Sequence, residues 1–366
     1  MTFTRYPIVG KWSGIISDVP SANDDLAFDD ALNVLVRKGR IQSRPLFTPV
    51  TPPPDGRPIR AMYTFADVLD HFHTLVLTDT TAYFLTNSSG TLVYNALTLP
   101  ISNLGVGPFP FSLREINQQV YFANGIPPLM YVDGSASAYV AGNAPGAPYF
   151  LTENSEQLIG INWTELSPFQ VGTNAYPFRV RWSDTGDPTQ WISAPGNTAG
   201  ANDLIETGGI LTGASTIGRN TYITRKNGAT VMYPTGQAIE PFSFEPFMWS
   251  EPGWGNYFPY SLVTWSYYCI CITREAEVLL FDGSNFTRLA GGKMKLRLAQ
   301  DLSHIVNDQV VSFGLDSFGP SYDFEGYGIS IPGPNISWLH NLEEGTWMRF
   351  NSSLGWLTTA ARVAVQ

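Results

Sequence analysis

From residue 57 onward the chain repeats one phrase: a short strand rich in β-branched or aromatic residues, a turn, and a second such strand. Residues 73–78 with 82–86 form the first instance, and 118–123 with 129–134 the second. Residues 178–182 before the turn at 184–188 are the third. Residues 219–224 and 230–233 flank Lys226-Asn227-Gly228 as the fourth. The fifth is 267–272 with 277–283, and the sixth is 326–331 with 336–340 and 346–350. The inner strands are apolar on both faces, as in a sheet covered on both sides, and several turns carry Asn-Gly or Asp-Gly. Six units of about 50 residues match the length of a four-stranded propeller blade. The expected fold is therefore all-β, a β-propeller of about six blades.

A blade cannot bury both faces alone, so blades stack radially with large side chains in the wedges between them. The 10 Trp, 17 Tyr and 22 Phe suit that role without any ligand. A pair of β-sandwiches would need a linker break. Residues 140–150 come closest to one, and they read as a connection between blades.

Charge narrows the function. Lys and Arg number 21 against 31 Asp and Glu, a net charge of −10, and charged residues make up 14% of the chain, against about 25% in an ordinary soluble domain. The 43% hydrophobic content excludes a disordered chain. The acidic balance argues against a protein that grips nucleic-acid phosphates, which needs clustered Lys and Arg. Helix-forming runs are scarce, which argues against a helical bundle. No stretch approaches the ~20 apolar residues of a membrane span, so no membrane insertion is expected. The first ten residues show no apolar core of a secretory signal. Cys269 and Cys271 lie two apart on one strand face, where a disulfide would be strained, and they read as small buried hydrophobes. The chain thus reads as made in a cytoplasm. Asn-x-Ser/Thr sites at Asn87, Asn162, Asn285, Asn335 and Asn351 read as turn chemistry.

Residues 1–56 differ from the rest and form a separate N-terminal arm or hairpin, ahead of the propeller at 57–366. Asp24, Asp25, Asp29 and Asp30 precede an alternating stretch, 31–41, that turns at Lys38-Gly39 as a hairpin. Pro52, Pro53 and Pro54 then fit neither helix nor ladder, so Pro52 to Gly56 is expected to be an extended loop. Their stiffness favours an arm that reaches a neighbouring subunit.

Candidate chemistry is sparse. His71 and His73 would share a strand face, as a metal pair can, with Asp67 and Asp70 nearby. Ser183 to Trp191 resembles the Asp-box of sialidases, but Thr185 stands at the aspartate position and Asp187 at the glycine, and the box is a turn motif. Glycoside hydrolysis needs a pair of carboxylates. Glu343-Glu344 and Glu275 with Glu277 are such pairs, of a kind any acidic chain offers. Lys293, Lys295 and Arg297 are the densest basic set and on a strand would share one face. No Gly-rich dinucleotide loop, P-loop or nucleophile elbow occurs. No catalytic, cofactor-binding or metal-binding residue is expected, and the chain is not read as an enzyme.

Two segments resemble a known family. One is a lead containing Gly10 and Gly14, an acidic stretch, and then Asp29-Asp-Ala-Leu-Asn-Val-Leu-Val-Arg-Lys-Gly-Arg-Ile-Gln-Ser-Arg-Pro45. The other is Val180-Arg-Trp-Ser-Asp-Thr-Gly-Asp-Pro-Thr-Gln-Trp191, followed by Ala199-Gly200 and Asp203-Leu204. Both resemble tail tube and nozzle proteins of short-tailed bacteriophages, and the strand pair around Lys226-Asn-Gly228 fits the same pattern. The resemblance implies a structural virion protein of the phage tail, made in the host cytoplasm, that self-associates in a ring, with a hexamer expected. Tail adaptor or tube proteins and tail fibres or spikes would be its partners. DNA would pass through the lumen without sequence recognition, with the surplus acids biased towards that channel. Relatives in that family are commonly longer, with inserted domains this chain lacks. The alternatives are a glycan- or protein-binding propeller module and, behind it, a propeller glycosidase.

Overall fold

The computed structural model describes residues 51–351, apart from 89–90, 106–109, 167–172, 206–208, 248–254, 266, 304, 306–309, 316–324 and 332–335. Ahead of these it describes four strands: β1 (Gly14–Ile15), β2 (Ala27–Phe28), β3 (Val34–Arg37) and β4 (Arg40–Ser43). Six antiparallel sheets then follow one another along the chain. Blade 1 is β5 (Ala61–Ala66), β6 (Phe72–Leu77), β7 (Ala82–Ser88) and β8 (Thr91–Ala96). Blade 2 is β9 (Ser112–Ile116), β10 (Gln119–Ala123), β11 (Met130–Val132) and β12 (Ala138–Val140). Blade 3 is β13 (Gly146–Asn154), β14 (Gln157–Leu166), β15 (Thr173–Trp182) and β16 (Gly200–Asp203). Blade 4 is β17 (Leu211–Ile217), β18 (Asn220–Arg225), β19 (Gly228–Pro234) and β20 (Phe242–Phe247). Blade 5 is β21 (Val263–Thr264), β22 (Cys269–Ile272), β23 (Val278–Phe281) and β24 (Phe286–Arg288). Helix α1 (Gly292–Leu302) leads to blade 6: β25 (Val311–Leu315), β26 (Gly326–Ile331), β27 (Ile336–Asn341) and β28 (Thr346–Asn351).

Within each blade, strands pair in chain order. The first strands of successive blades lie side by side around a common axis. The fold is a six-bladed β-propeller, and each of the six repeated phrases read from the sequence falls in its own blade.

The wedges between blades form the core. Phe65, Leu75 and Phe84 of blade 1 meet Phe111, Val120 and Phe122 of blade 2. Tyr121 and Ala123, on the other side of β10, pack instead towards blade 3. The same alternation divides β22: Cys269 and Cys271 face Ile217, Tyr222 and Ala229 of blade 4, whereas Ile270 and Ile272 face blade 6. A strand with period-two side chains and an apolar neighbour on both sides must be apolar at every position. That is why these strands carry no polar face, and each fully buried residue contributes about 1.5–3 kcal/mol.

One irregularity has a clear cause. β14 breaks register between Ile161 and Trp163, with Asn162 at φ +57° and its Nδ2 donating to the Leu211 carbonyl at 3.0 Å. The bulge turns Trp163 back towards blade 2. There it packs edge-on against Trp191 at 5.1 Å. Of the other Asn-x-Ser/Thr sites, Asn285 lies in a turn, Asn87 lies within β7, Asn351 ends β28, and Asn335 lies outside the described residues. Turn chemistry therefore explains Asn285 but not Asn87, Asn162 or Asn351.

The N-terminal strands gather beside the last blade. β1 pairs antiparallel with β28 of the same chain, Ile15 opposite Trp347, and β2 adds outside it. β3 and β4 pair antiparallel, Arg37 opposite Arg40, and β3 lies alongside β28; the turn expected at Lys38-Gly39 lies outside the described residues. Of the segment expected to reach a neighbour, the described strands β1 and β2 thus extend the chain's own sixth blade. Residues 51–60 then lead into blade 1. The Pro-rich stretch there ends in a turn closed by Gly56 N donating to Pro53 O at 3.0 Å. The Asp55 carboxylate accepts from the Thr78 and Thr80 hydroxyls, each at 2.6 Å. Arg60 grips Asp79 through two bonds of 2.8 and 3.1 Å.

Candidate functional site

Three places could hold function in this fold: the axis, the face bearing the A–B and C–D tips of the blades, and the opposite crossover face, where A to D are a blade's strands from inside out. In a four-stranded antiparallel blade, A–B and C–D turns emerge at one end, and B–C turns with the D-to-A crossovers at the other.

The axis encloses a cavity of about 350 Å³, within the ~300–1,000 Å³ of small-molecule sites. Its wall takes residues from the inner strand of every blade, among them Tyr63, Ser112, Leu151, Ala214, Thr264 and Phe313. The charged side chains lining it are Arg60 and Arg114, with no carboxylate among them. Both are paired, Arg60 with Asp79 and Arg114 with Glu153 at 2.9 Å. Burial, then the neighbouring Glu115 carboxylate, pushes the Tyr63 hydroxyl up to about 12, so it stays a proton donor. Among the described residues, the surplus of acid is not at the propeller axis.

It is on the tip face. Blade 1 places Asp67 and Asp70 there, blade 2 Asp133, and blade 3 Glu156, Asp184 and Asp187. Blade 4 adds Glu240, blade 5 Asp282, and blade 6 Glu325, Glu343 and Glu344. Arg219 is the one Lys or Arg among the described residues of these turns. Several of the aspartates build their turns. Asp184 Oδ1 accepts from Thr198 N at 2.7 Å, Thr198 Oγ1 at 2.8 Å and Thr185 N at 3.0 Å. Asp282 Oδ1 accepts from Ser284 and Asn285 N–H groups at 2.8 and 2.6 Å. These N–H donors hold both carboxyls below the usual range, so both stay charged into acid.

His71 and His73 do come together, but on a carboxylate: His73 Nε2 lies 3.0 Å and His71 Nδ1 3.4 Å from Asp67 Oδ2. The His73 bond is the main cause holding the Asp67 carboxyl far below its ordinary value. Both ring nitrogens are thus directed at an anion, and Asp70 is not part of the cluster. No group of three or more His, Cys, Asp or Glu suited to a metal occurs among the described residues. His304 lies outside them.

The Asp-box-like segment is the C–D turn of blade 3, with Trp191 fully buried and its Nε1 donating to Pro188 O at 2.9 Å. Cys269 and Cys271 are buried and form no disulfide, and burial pushes the Cys269 thiol up to about 12. Lys293, Lys295 and Arg297 are not on a strand: they lie in α1, whose 100° spacing puts Lys295 on the opposite side from Arg297. Lys295 Nζ bonds Glu277 Oε1 at 2.5 Å. The expectation of one basic strand face is corrected accordingly. Glu275 is exposed on the crossover face, while Glu343 and Glu344 sit in the C–D turn of blade 6.

Reading by motif passed over two groups. Asp301, near the end of α1, accepts from Trp338 Nε1 at 2.9 Å and from Arg349 at 3.0 and 2.8 Å, knitting helix to blade 6. Arg225 is buried, with its guanidinium on the carbonyls of Gly209 and Leu204 at 2.7 and 2.8 Å. Neither carried a local sequence signal, since the partners are remote in sequence.

No protein-family model matches the sequence, and no curated protein is detectably similar to it. Among solved structures, apo AztD from Citrobacter koseri matches with a TM-score of 0.38 and 9% identity, over 81% of this chain and 87% of that one. BamB from Moraxella catarrhalis matches at 0.39 and 10%, over 84% and 78%. The computationally designed Ika8 protein matches at 0.42 and 9%, over 97% and 92%. Likeness at this level assigns no role to the chain.

Proposed function

We propose that this chain is a structural, non-catalytic subunit of a short-tailed phage tail, a propeller that assembles in a ring around the DNA path. The observation that carries the reading is the N-terminal segment with the resemblance to tail proteins. Its described strands stand outside the four-stranded repeat, and β1 and β2 extend the outer edge of blade 6, where β1 pairs with β28. An extra element on the rim of a propeller gives a ring subunit a surface to offer its neighbours. The second resembling segment is the rigid C–D turn of blade 3. A loop face dominated by carboxylates repels phosphate, so DNA slides past and is not gripped. The acid pairs weighed for glycosidase chemistry support the same reading: Glu277 is tied to Lys295, and Glu343 and Glu344 lie in a surface turn.

Light scattering after size exclusion, followed by electron microscopy, tests the proposal. A closed ring of many copies is expected. A particle of about 40 kDa at every concentration and salt tried, alone and mixed with purified portal or adaptor protein, would sink it. The second reading, a glycan- or protein-binding module, is favoured by large apolar side chains exposed at the tips, such as Ile239 and Leu69. Glycan-array binding by a monomer would select it.

A further inference from the structure

The A–B turn of blade 1 exposes three large apolar side chains within five residues. Val68 is 68% exposed, Leu69 69% and Phe72 58%. Single exposed apolar residues are ordinary, but a contiguous set marks a contact site. This set is also held rigidly. Asp67 Oδ1 accepts from the N–H groups of Leu69 at 2.8 Å and His71 at 2.9 Å. Its Oδ2 meets the His73 ring at 3.0 Å. Asp67 N donates to His71 O, and Asp70 N to Asp67 O, each at 3.0 Å. Blade 2 buttresses the base at Gly134, where a Cβ would fall 2.8 Å from Asp67 Cβ. A finger shaped before any partner arrives has less conformational freedom to lose on binding.

The surroundings choose the partner. Asp70 stands within the finger, and Asp133 adjoins the Gly134 that packs against its base. Carboxylates here repel nucleic acid and anionic lipid, and they repel the same face of a second copy. An apolar knob in an acidic setting is complementary to an apolar pocket rimmed by cations. We propose that residues 67–72 of blade 1 form a docking knob for a protein partner that presents an apolar pocket edged by Lys or Arg. The inference holds whether or not the chain belongs to a phage tail.

A library of random short peptides displayed on yeast, panned against the full chain, tests it. The enriched peptides are expected to combine apolar residues with Lys or Arg. The affinity of one such peptide should fall at least about tenfold in the Leu69→Ser, Phe72→Ser double variant. It should weaken several-fold as salt rises from about 0.05 to about 0.5 M. Ile239→Ser, at another exposed tip, should leave it unchanged. Leu69→Ser alone, with its side chain 69% exposed, should melt with the wild type and still weaken the peptide. Asp67→Ala separates shape from surface, since it keeps every apolar side chain yet should weaken the peptide. The inference is overturned if no peptide is enriched, if enriched peptides lack Lys and Arg, or if they bind the double variant as well as the wild type. Finger-dependent sedimentation with phosphatidylcholine vesicles would overturn it in favour of a membrane.

Discussion

The two loop faces of the propeller use carboxylates in opposite ways. On the crossover face cations take up the buried carboxylates: Asp79 with Arg60, Glu277 with Lys295, and Asp301 with Arg349 and Trp338, while Glu275 stands exposed. On the tip face the carboxylates serve backbone N–H groups of their own turns, as at Asp184, Asp282 and, beside its contact with the His73 ring, Asp67, or stand exposed, as at Glu156, Glu240 and Glu343. A paired carboxylate holds elements together and is nearly silent at a distance. One bonded to N–H groups shapes a turn and keeps its field. Among the described residues, exposed negative charge therefore gathers mainly on one face.

That contrast predicts where substitution hurts most. Asp301 is buried, and its loss strands the Arg349 guanidinium and the Trp338 N–H. Asp301→Ala should cost about 3–5 kcal/mol in urea unfolding, the range for breaking a buried pair from one side. A loss near zero would mean that the helix is not anchored this way.

Next in size is a pH effect that belongs to neither set of acids. His340 lies buried on β27, stacked on Trp347 at 4.5 Å, with Nδ1 3.2 Å from Thr346 O. Burial pushes its pKa down to about 4, against about 6.5 in an unfolded chain. Between those values the unfolded chain holds a proton that the native state refuses, so stability falls as pH drops from about 6.5 to about 4 and levels off below. The loss should total about 3 kcal/mol, and His340→Asn should flatten the curve in that window. The turn carboxylates act lower. Their folded pKa values are depressed, so their contribution is complete above about 3.9 and fades only as pH falls through the folded values.

Asp184 measures the turn-building role by itself. Asp184→Ala should cost about 1–2 kcal/mol for three lost acceptor bonds, and Asp184→Asn less, because the amide oxygen still accepts. Equal losses for both would mean that charge, not the acceptor geometry, holds the turn.

How much of this was legible in the sequence follows from the range of each interaction. The blades were readable because turn chemistry and alternation are local: Lys226-Asn-Gly228 and the two-faced run 269–272 declare hairpin and sandwiched strand without any partner. The basic set 293–297 was misread because its spacing suits a strand, and only the packing of Met294, Leu298 and Leu302 into the core of blades 5 and 6 makes it a helix. Asp301 with Arg349, and Arg225 on the Leu204 carbonyl, are contacts between distant residues, so no window along the chain contains them. The tip face was hidden for a related reason. Each of its acids is an ordinary turn residue, and only the propeller's topology places them all at one end.

The smallest effect tests that placement most directly. Asp70, Glu156, Glu240 and Glu343 are exposed tip residues on four different blades. If their charges repel one another across the face, changing them together to Asn or Gln removes repulsion that the folded state suffers more than the unfolded one. Asn also tolerates the φ of +60° at position 70. The fourfold variant should melt about 1–2 °C higher than wild type at low salt, and the gain should vanish near 0.5 M, where charges separated by more than about 4–5 Å are screened. Glu275→Gln, beside Arg274 on the crossover face, should give no such gain. An equal response on both faces would mean that the acids act as independent solvated charges, and the polarity of the propeller would then have no energetic consequence.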